Sequence, residues 1–508
     1  MTVSVASMHG ARPAGDSNLR LLVPVGIVFA ATSFNFVLSF VNAHVMRLSS
    51  AHVILVELVI FAAAHAWTVL NFRMSMMRWY ALIGILVGFS AVRVVALGDF
   101  DPKFLRDTLV IPTFILLGMT ITVTRTLDRL VVAFAVIVAA VMLWEAYAVR
   151  HFTDTFEIAQ YYIATRGLSP ISFDLRGDLE LSFSAIRWAG RFFDFVDWHR
   201  LSSIFVEALS LGNACMILAA YLFARWPGMT WTTRIMLILL TALLLVGSDG
   251  RRATGVIIVT IPVVMMATRL PARSPVLYLP VATATLLLAV WIFEFESGID
   301  NLPGRFAFTS ELIASLKPID WVGLSDPAFV SSVIDSALVY LIITHSLLGT
   351  IVLWVWLIFA ARVDTPEQKR MLHATAIYIA SGMMITMGFL TIKTAALLWF
   401  FFGAIQNSRP AEGHSALAEG RYSNVAQPPG VGPRAVPDRM ESFAPEKPPA
   451  FQRSGHFARA ACGATCPRAV PDRMESFAPE NPPAFQRGGH FARAACGATY
   501  PSQRQLLQ

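Results

Sequence analysis

Ile235-Met-Leu-Ile-Leu-Leu-Thr-Ala-Leu-Leu-Leu-Val-Gly-Ser-Asp-Gly-Arg-Arg-Ala-Thr-Gly-Val-Ile-Ile-Val259 decides the fold. Two apolar runs, 232–248 and 253–268, meet at a polar turn and hold one charged residue between them, Arg234. Asp249-Gly250 is a turn signal. In hydrocarbon every backbone group must be satisfied within its own segment, so runs of this kind must be helices. The hairpin also places Arg251 and Arg252 at a helix end, beside the membrane surface.

Working outward, apolar runs recur at 21–43, 51–70, 79–98, 107–124, 130–149, 203–223, 276–294, 333–361, 371–390 and 392–406. The expected fold is therefore all-α: a polytopic integral membrane protein of 11–12 transmembrane helices. The count depends on whether 371–390 and 392–406 are two helices or one bent helix. Composition agrees: of 508 residues 56% are hydrophobic and 14% charged, and mean hydropathy is +0.59. Soluble proteins carry about 25% charged residues. The net charge of +7 is concentrated in residues 407–508, which hold twelve basic and eight acidic side chains. The membrane part is thus nearly balanced, which argues against nucleic acid as a partner.

Orientation follows from Lys and Arg in short loops. With residues 1–20 cytoplasmic, thirteen basic residues fall inside, among them Arg73, Arg78, Arg125, Arg225, Arg269 and Arg370. Six fall in short outside loops: Arg47, Lys103, Arg106, Arg251, Arg252 and Lys393. The domain layout is a cytoplasmic N-terminus (1–20), a transmembrane domain (21–406) and a tail (407–508). Two longer loops, about 150–202 and 295–332, lie outside. The first interleaves Tyr161, Tyr162, Trp188, Phe192, Phe193, Phe195 and Trp198 with charged residues. Such rings either form an interfacial belt or roof a cavity where they stack on sugars.

The tail holds 14 of the 28 prolines, and residues 433–466 recur as 467–500 with three differences. This composition reads as a disordered, dispensable segment. Its Cys462, Cys466 and Cys496 do not repeat a ligand spacing and read as incidental rather than as a metal site. Cys215, alone in the membrane part, allows no disulfide framework.

Arginine beside hydrocarbon is costly, and its planar fork suits phosphate and carboxylate. Four arginine-bearing stretches share the outside face. The richest is Trp198-His-Arg-Leu-Ser-Ser-Ile-Phe-Val-Glu-Ala-Leu-Ser-Leu-Gly212. Arg200, Ser202 and Ser203 offer donors where a helix N-terminus also favours an anion. Arg200 read alone is equally a side chain snorkelling to head groups. Glu207 sits in the apolar run and needs a partner. Gly212 and Gly255 would let helices approach closely. Arg251-Arg252, the Arg305 of Pro303-Gly-Arg-Phe306 and the long acidic and basic loop leading into Arg200 complete the set; Lys317-Pro-Ile-Asp-Trp-Val-Gly-Leu-Ser325 follows Arg305.

In this order the motifs resemble the O-antigen polymerase/O-antigen ligase superfamily. They are Arg-x-Ser-Ser-x-Phe followed by a Gly, Ser248-x-x-Arg opening the next turn, Gly-Arg in a later loop, and a Trp-x-Gly segment. Asp335-Ser-Ala-Leu-Val-Tyr-Leu341 with Leu347-Leu-Gly349 resembles the family's closing segment. The resemblance covers about 198–406. It implies a GT-C-like glycosyltransferase of the bacterial inner membrane, acting at the periplasmic face with no cofactor and no metal. The substrate implied is an undecaprenyl-diphosphate-linked oligosaccharide, with a flippase and a chain-length regulator as partners in the bilayer. Ala208 replaces the family's Pro, and Asp335-Ser336 replaces the His-Asn of ligases, which favours a polymerase of O-antigen or exopolysaccharide. The alternatives are an O-antigen ligase and a polysaccharide flippase or secondary transporter. On the polymerase reading Arg200, Arg251, Arg252, Arg305 and Ser203 bind the donor diphosphate, and Asp335 or Glu207 takes a proton. Asp335 is equally a helix N-cap.

Overall fold

The computed structural model describes residues 15–98, 101–168, 185, 191–297, 301–333 and 336–408. Asp335, Trp188 and the repeat-bearing tail lie outside the described residues. Among those described every regular element is a helix. The first seven are α1 (Gly15–His44), α2 (Ser50–Leu70), α3 (Met77–Leu97), α4 (Pro102–Met119), α5 (Arg125–Tyr147), α6 (Val149–Phe156) and α7 (Ile158–Arg166). Next come α8 (Ala208–Arg225), α9 (Trp231–Ser248), α10 (Arg251–Met266), α11 (Tyr278–Phe293) and α12 (Leu302–Ser315). The last are α13 (Pro318–Trp321), α14 (Pro327–Ser332), α15 (Ala337–Ala360), α16 (Pro366–Met383) and α17 (Ile392–Gln406).

Eight helices among the described residues are long and apolar enough to cross a membrane: α1, α2, α3, α5, α8, α9, α11 and α15. The other apolar segments form α4, α10, α16 and α17, which are shorter or more polar. Three of these are central. Every residue of α17 is buried, and it packs mainly against α4. The approach is close enough that a methyl built on Gly118 would lie 2.2 Å from the Phe400 carbonyl oxygen. At 1.5 Å per residue α17 is about 22 Å long, short of the roughly 30 Å hydrocarbon core. A helix wrapped by others has no need to match the lipid, because protein surrounds its ends.

The segment 371–406 forms two helices rather than one bent helix. Gln368 at the start of α16 donates through Nε2 to the carbonyls of Ile405 (3.4 Å) and Ser408 (3.0 Å) at the end of α17. A single bent helix would put these residues at opposite ends. Instead α16 and α17 form a hairpin, and the non-helical turn 384–391 between them is buried except at Met387 and Thr391. Thr394 Oγ1 and the Trp399 indole donate to the turn's Gly388 and Phe389 carbonyls at 2.5 and 3.0 Å. Buried irregular backbone needs such partners.

α15 is interrupted at Ser346, where φ is 69° and ψ 162°. Gly323, itself at φ 80°, is pressed against the break: a methyl there would lie 2.5 Å from the Ser346 nitrogen. Arg93 of α3 satisfies the carbonyls exposed by this geometry. It donates to Gly323 (2.6 Å), Ile343 (2.8 Å) and Ser325 (2.7 Å).

The segment 150–168, expected as the start of a loop, departs from that character. α6 and α7 pack on α1, and Phe152, Phe156, Tyr161 and Tyr162 are buried. Tyr161 donates to Asn35 of α1 at 2.6 Å. These rings are core rather than belt or sugar platform. Phe192 and Phe195 are exposed.

Candidate functional site

Two charge systems occupy the end of the bundle that carries Arg252 and Glu207. The first is balanced. Glu207, the residue before α8, accepts from Tyr162 Oη (3.1 Å), Arg166 (2.9 Å) and Ser210 Oγ (3.1 Å) and pairs with Lys393. Burial opposes its charge, but the Lys393 ammonium and the Arg166 guanidinium outweigh burial and hold the carboxyl well below the usual carboxylate range. Within electrostatic reach lies a second cluster, where Arg106 pairs with Glu57 and with Asp107 (2.6 Å). Tyr340 also donates to Asp107, at 2.9 Å. Glu57, Asp107 and Glu207 thus match Arg106, Arg166 and Lys393 charge for charge.

The second system centres on Arg252. Arg252, in the first turn of α10, donates to Asn213 Oδ1 at 3.0 Å and to the Tyr378 carbonyl at 3.5 Å, and its guanidinium lies over the Tyr378 ring at 5.6 Å. All three partners are neutral. Among the described residues no carboxylate pairs with Arg252, and its buried Nε has no hydrogen-bond partner. Arg305 of α12 is near enough for the two like charges to repel, and it donates to the Ile385 carbonyl at 3.4 Å. Thr309, one turn further along α12, donates to Met384 at 2.6 Å. Both arginines therefore converge on the end of α16 and the buried turn after it.

The remaining sequence candidates have mixed placements. Arg200 Nε donates to the Ser248 carbonyl at 3.3 Å, which ties it to the α9–α10 turn that also carries Arg251 and Arg252. Arg251 is exposed. Ser203 is fully buried: its hydroxyl donates to the Val138 carbonyl (2.6 Å) and its N–H to Glu145 (2.7 Å). Ser202 spends its N–H (2.8 Å) and hydroxyl (3.0 Å) on the same carboxylate. The donor cluster read from the sequence does hold an anion, but the anion is the chain's own Glu145. That clamp holds a strained turn, with Ser203 at φ 51° and Val206 at φ 63°. Glu207 is an ion-pair residue, and a carboxylate so strongly held in its charged form is a weak base. Gly212 makes only ordinary contact with Ala253, and Gly255 faces open space, so neither marks a close helix crossing.

Sequence reading missed Asn213, Tyr378, Arg166 and Lys393 as parts of these systems. Lys393 stood out only as a loop charge, although it is 5% exposed. Its signal was a lysine opening an apolar run with no local acid, which asks for a distant partner.

Fold and site together define an all-helical, multi-pass membrane protein in which one arginine, Arg252, is held by neutral groups at one end of the bundle. No family model, curated protein or solved structure matches the chain.

Proposed function

We propose that the chain is a membrane glycosyltransferase that joins undecaprenyl-diphosphate-linked repeat units of a bacterial polysaccharide. On this reading all twelve apolar segments cross the inner membrane, the N-terminus is cytoplasmic and the arginine end is periplasmic. Arg252 and Arg305 hold the donor diphosphate, with Arg251 and Arg200 at the rim. Negative charge grows on the diphosphate as the sugar departs, and cations already in place lower the barrier without reorganising. The observation that carries the proposal is Arg252 itself. A cation at a helix end, held only by neutral groups, keeps its charge uncancelled until an anion arrives. The planar fork of its guanidinium suits the paired oxygens of a diphosphate.

A second reading, a polysaccharide flippase or secondary transporter, is favoured by one feature. The break of α15 at Ser346 and the buried turn 384–391 are discontinuities of the kind that transporters build their sites on.

The test is a gel profile of surface polysaccharide from a deletion strain complemented with wild type or with Arg252→Ala. Single repeat units in the deletion and variant strains, with long chains restored by wild type, are expected. Long lipid-linked chains that never reach lipid A-core would identify a ligase, and repeat units trapped on the cytoplasmic side a flippase. An unchanged profile overturns the polysaccharide reading.

A further inference from the structure

The surplus charge at Arg252 depends on what surrounds it. Asn213 of α8 is 2% exposed and offers its amide oxygen to Arg252 at 3.0 Å. Aspartate has almost the same shape and would make a stronger bond to a guanidinium. The other walls are also neutral and closely fitted. A methyl built on Gly382 would lie 2.9 Å from Arg252 Nη2, and one built on Gly388 would lie 2.4 Å from the Asn213 amide nitrogen. Two glycines and one amide thus make room for the guanidinium without adding charge. The contrast lies just before α8, where Glu207 faces Lys393 and Arg166 with a carboxylate and accepts from Ser210.

We infer that Asn213 is a positioning residue for anion binding: it aims Arg252 while leaving its charge uncompensated, for a ligand of the polyisoprenyl diphosphate class. The inference rests on the reading of Arg252 as a diphosphate ligand and deepens it. A carboxylate at 213 would neutralise the site from within, so the ligand would have to displace an ion pair before binding. Gly388 serves the same arrangement by leaving space for the amide.

The experiment uses the full chain in detergent, with farnesyl diphosphate as probe and uncharged farnesol as control. Wild type is expected to bind farnesyl diphosphate in preference to farnesol, and Arg252→Ala to lose that preference. Asn213→Asp should bind roughly ten- to a hundredfold more weakly, because a unit charge is placed beside the cation. Its melting temperature should equal or exceed that of wild type, since a partly buried guanidinium gains a counter-charge. Asn213→Leu keeps the branched shape, adds no charge and removes the acceptor that aims Arg252, and should bind about three- to tenfold more weakly than wild type, a smaller loss than that of Asn213→Asp. A merely structural asparagine would move stability and binding together in both variants, and that result overturns the inference. Equal binding by Asn213→Asp and wild type, with Arg252→Ala defective, also overturns it while leaving the diphosphate reading intact. Equal binding by Arg252→Ala and wild type removes the reading itself.

Discussion

Arg225 and Arg252 are the same side chain in two different settings. Arg225, the last residue of α8, is 8% exposed and gripped by Glu367 at 2.6 Å and Asp128 at 3.3 Å, and Asp128 is held in turn by Tyr221 at 2.7 Å. Arg252 opens α10 with an amide, a carbonyl and a ring around it. A buried cation that has its anion belongs to the architecture. One that is given only neutral acceptors keeps its electrostatic potential for something else. The comparison teaches that burial of an arginine says little about its role, and that the charge of its partners says much more.

Arg225→Ala should produce the largest change in stability. It leaves Asp128 and Glu367 without their cation, and breaking such a pair costs about 3–5 kcal/mol. Chemical unfolding should show that loss, with activity per folded molecule unchanged. If activity falls while stability holds, the two arginines are not different in kind. Arg252→Ala should show the converse. Losing one charge-stabilising donor is worth about 3 kcal/mol in the transition state, seen as polymer yield, with the unfolding midpoint near that of wild type.

Glu207→Gln tests the balanced system. It strands Lys393 and Arg166 beside a neutral amide, and a loss of about 1–3 kcal/mol is expected. The pH dependence has a definite sign. The folded carboxyl sits below its ordinary value, so its contribution is complete above the unfolded-state value and disappears as pH falls through the folded one. The stability gap between wild type and Glu207→Gln should therefore be full at neutral pH and close only in strong acid. A gap that widens on acidification would contradict the ion-pair assignment. The smallest effect is expected from ending the chain after Ser408. The proline-rich repeat has no apolar periodicity of its own, and polymer profile and stability should both be unchanged.

Much of this was legible from residue order alone. Long apolar runs separated by polar turns dictate helices in hydrocarbon, and the turn at Asp249-Gly250 places Arg251 and Arg252 at a helix end with no further information. Gly-Arg at 304–305 and Arg200 could be assigned to the same face by charge counting. The pairing of partners was not legible. Glu145 lies more than fifty residues before Ser203, and nothing local announces that it fills the donor cluster there. Glu207 and Lys393 are farther apart still, and Asn213 reads as an ordinary polar residue in an apolar helix until Arg252 is brought against it. Two of the loop aromatics illustrate the same point: Tyr161 and Tyr162 have the composition of an interface but are buried, with Tyr161 donating to Asn35 of α1.

The sequence by itself determined that this is a chain of membrane helices whose arginines sit at helix ends. That follows from solvation, because hydrocarbon tolerates neither open backbone nor unpaired charge. Only the tertiary structure decided that 371–406 is a hairpin with a buried turn, that Arg225 is cancelled by carboxylates and that Arg252 meets neutral groups. Charge cancellation depends on distances of a few ångströms between helices remote in sequence, and those distances exist only after the helices have packed.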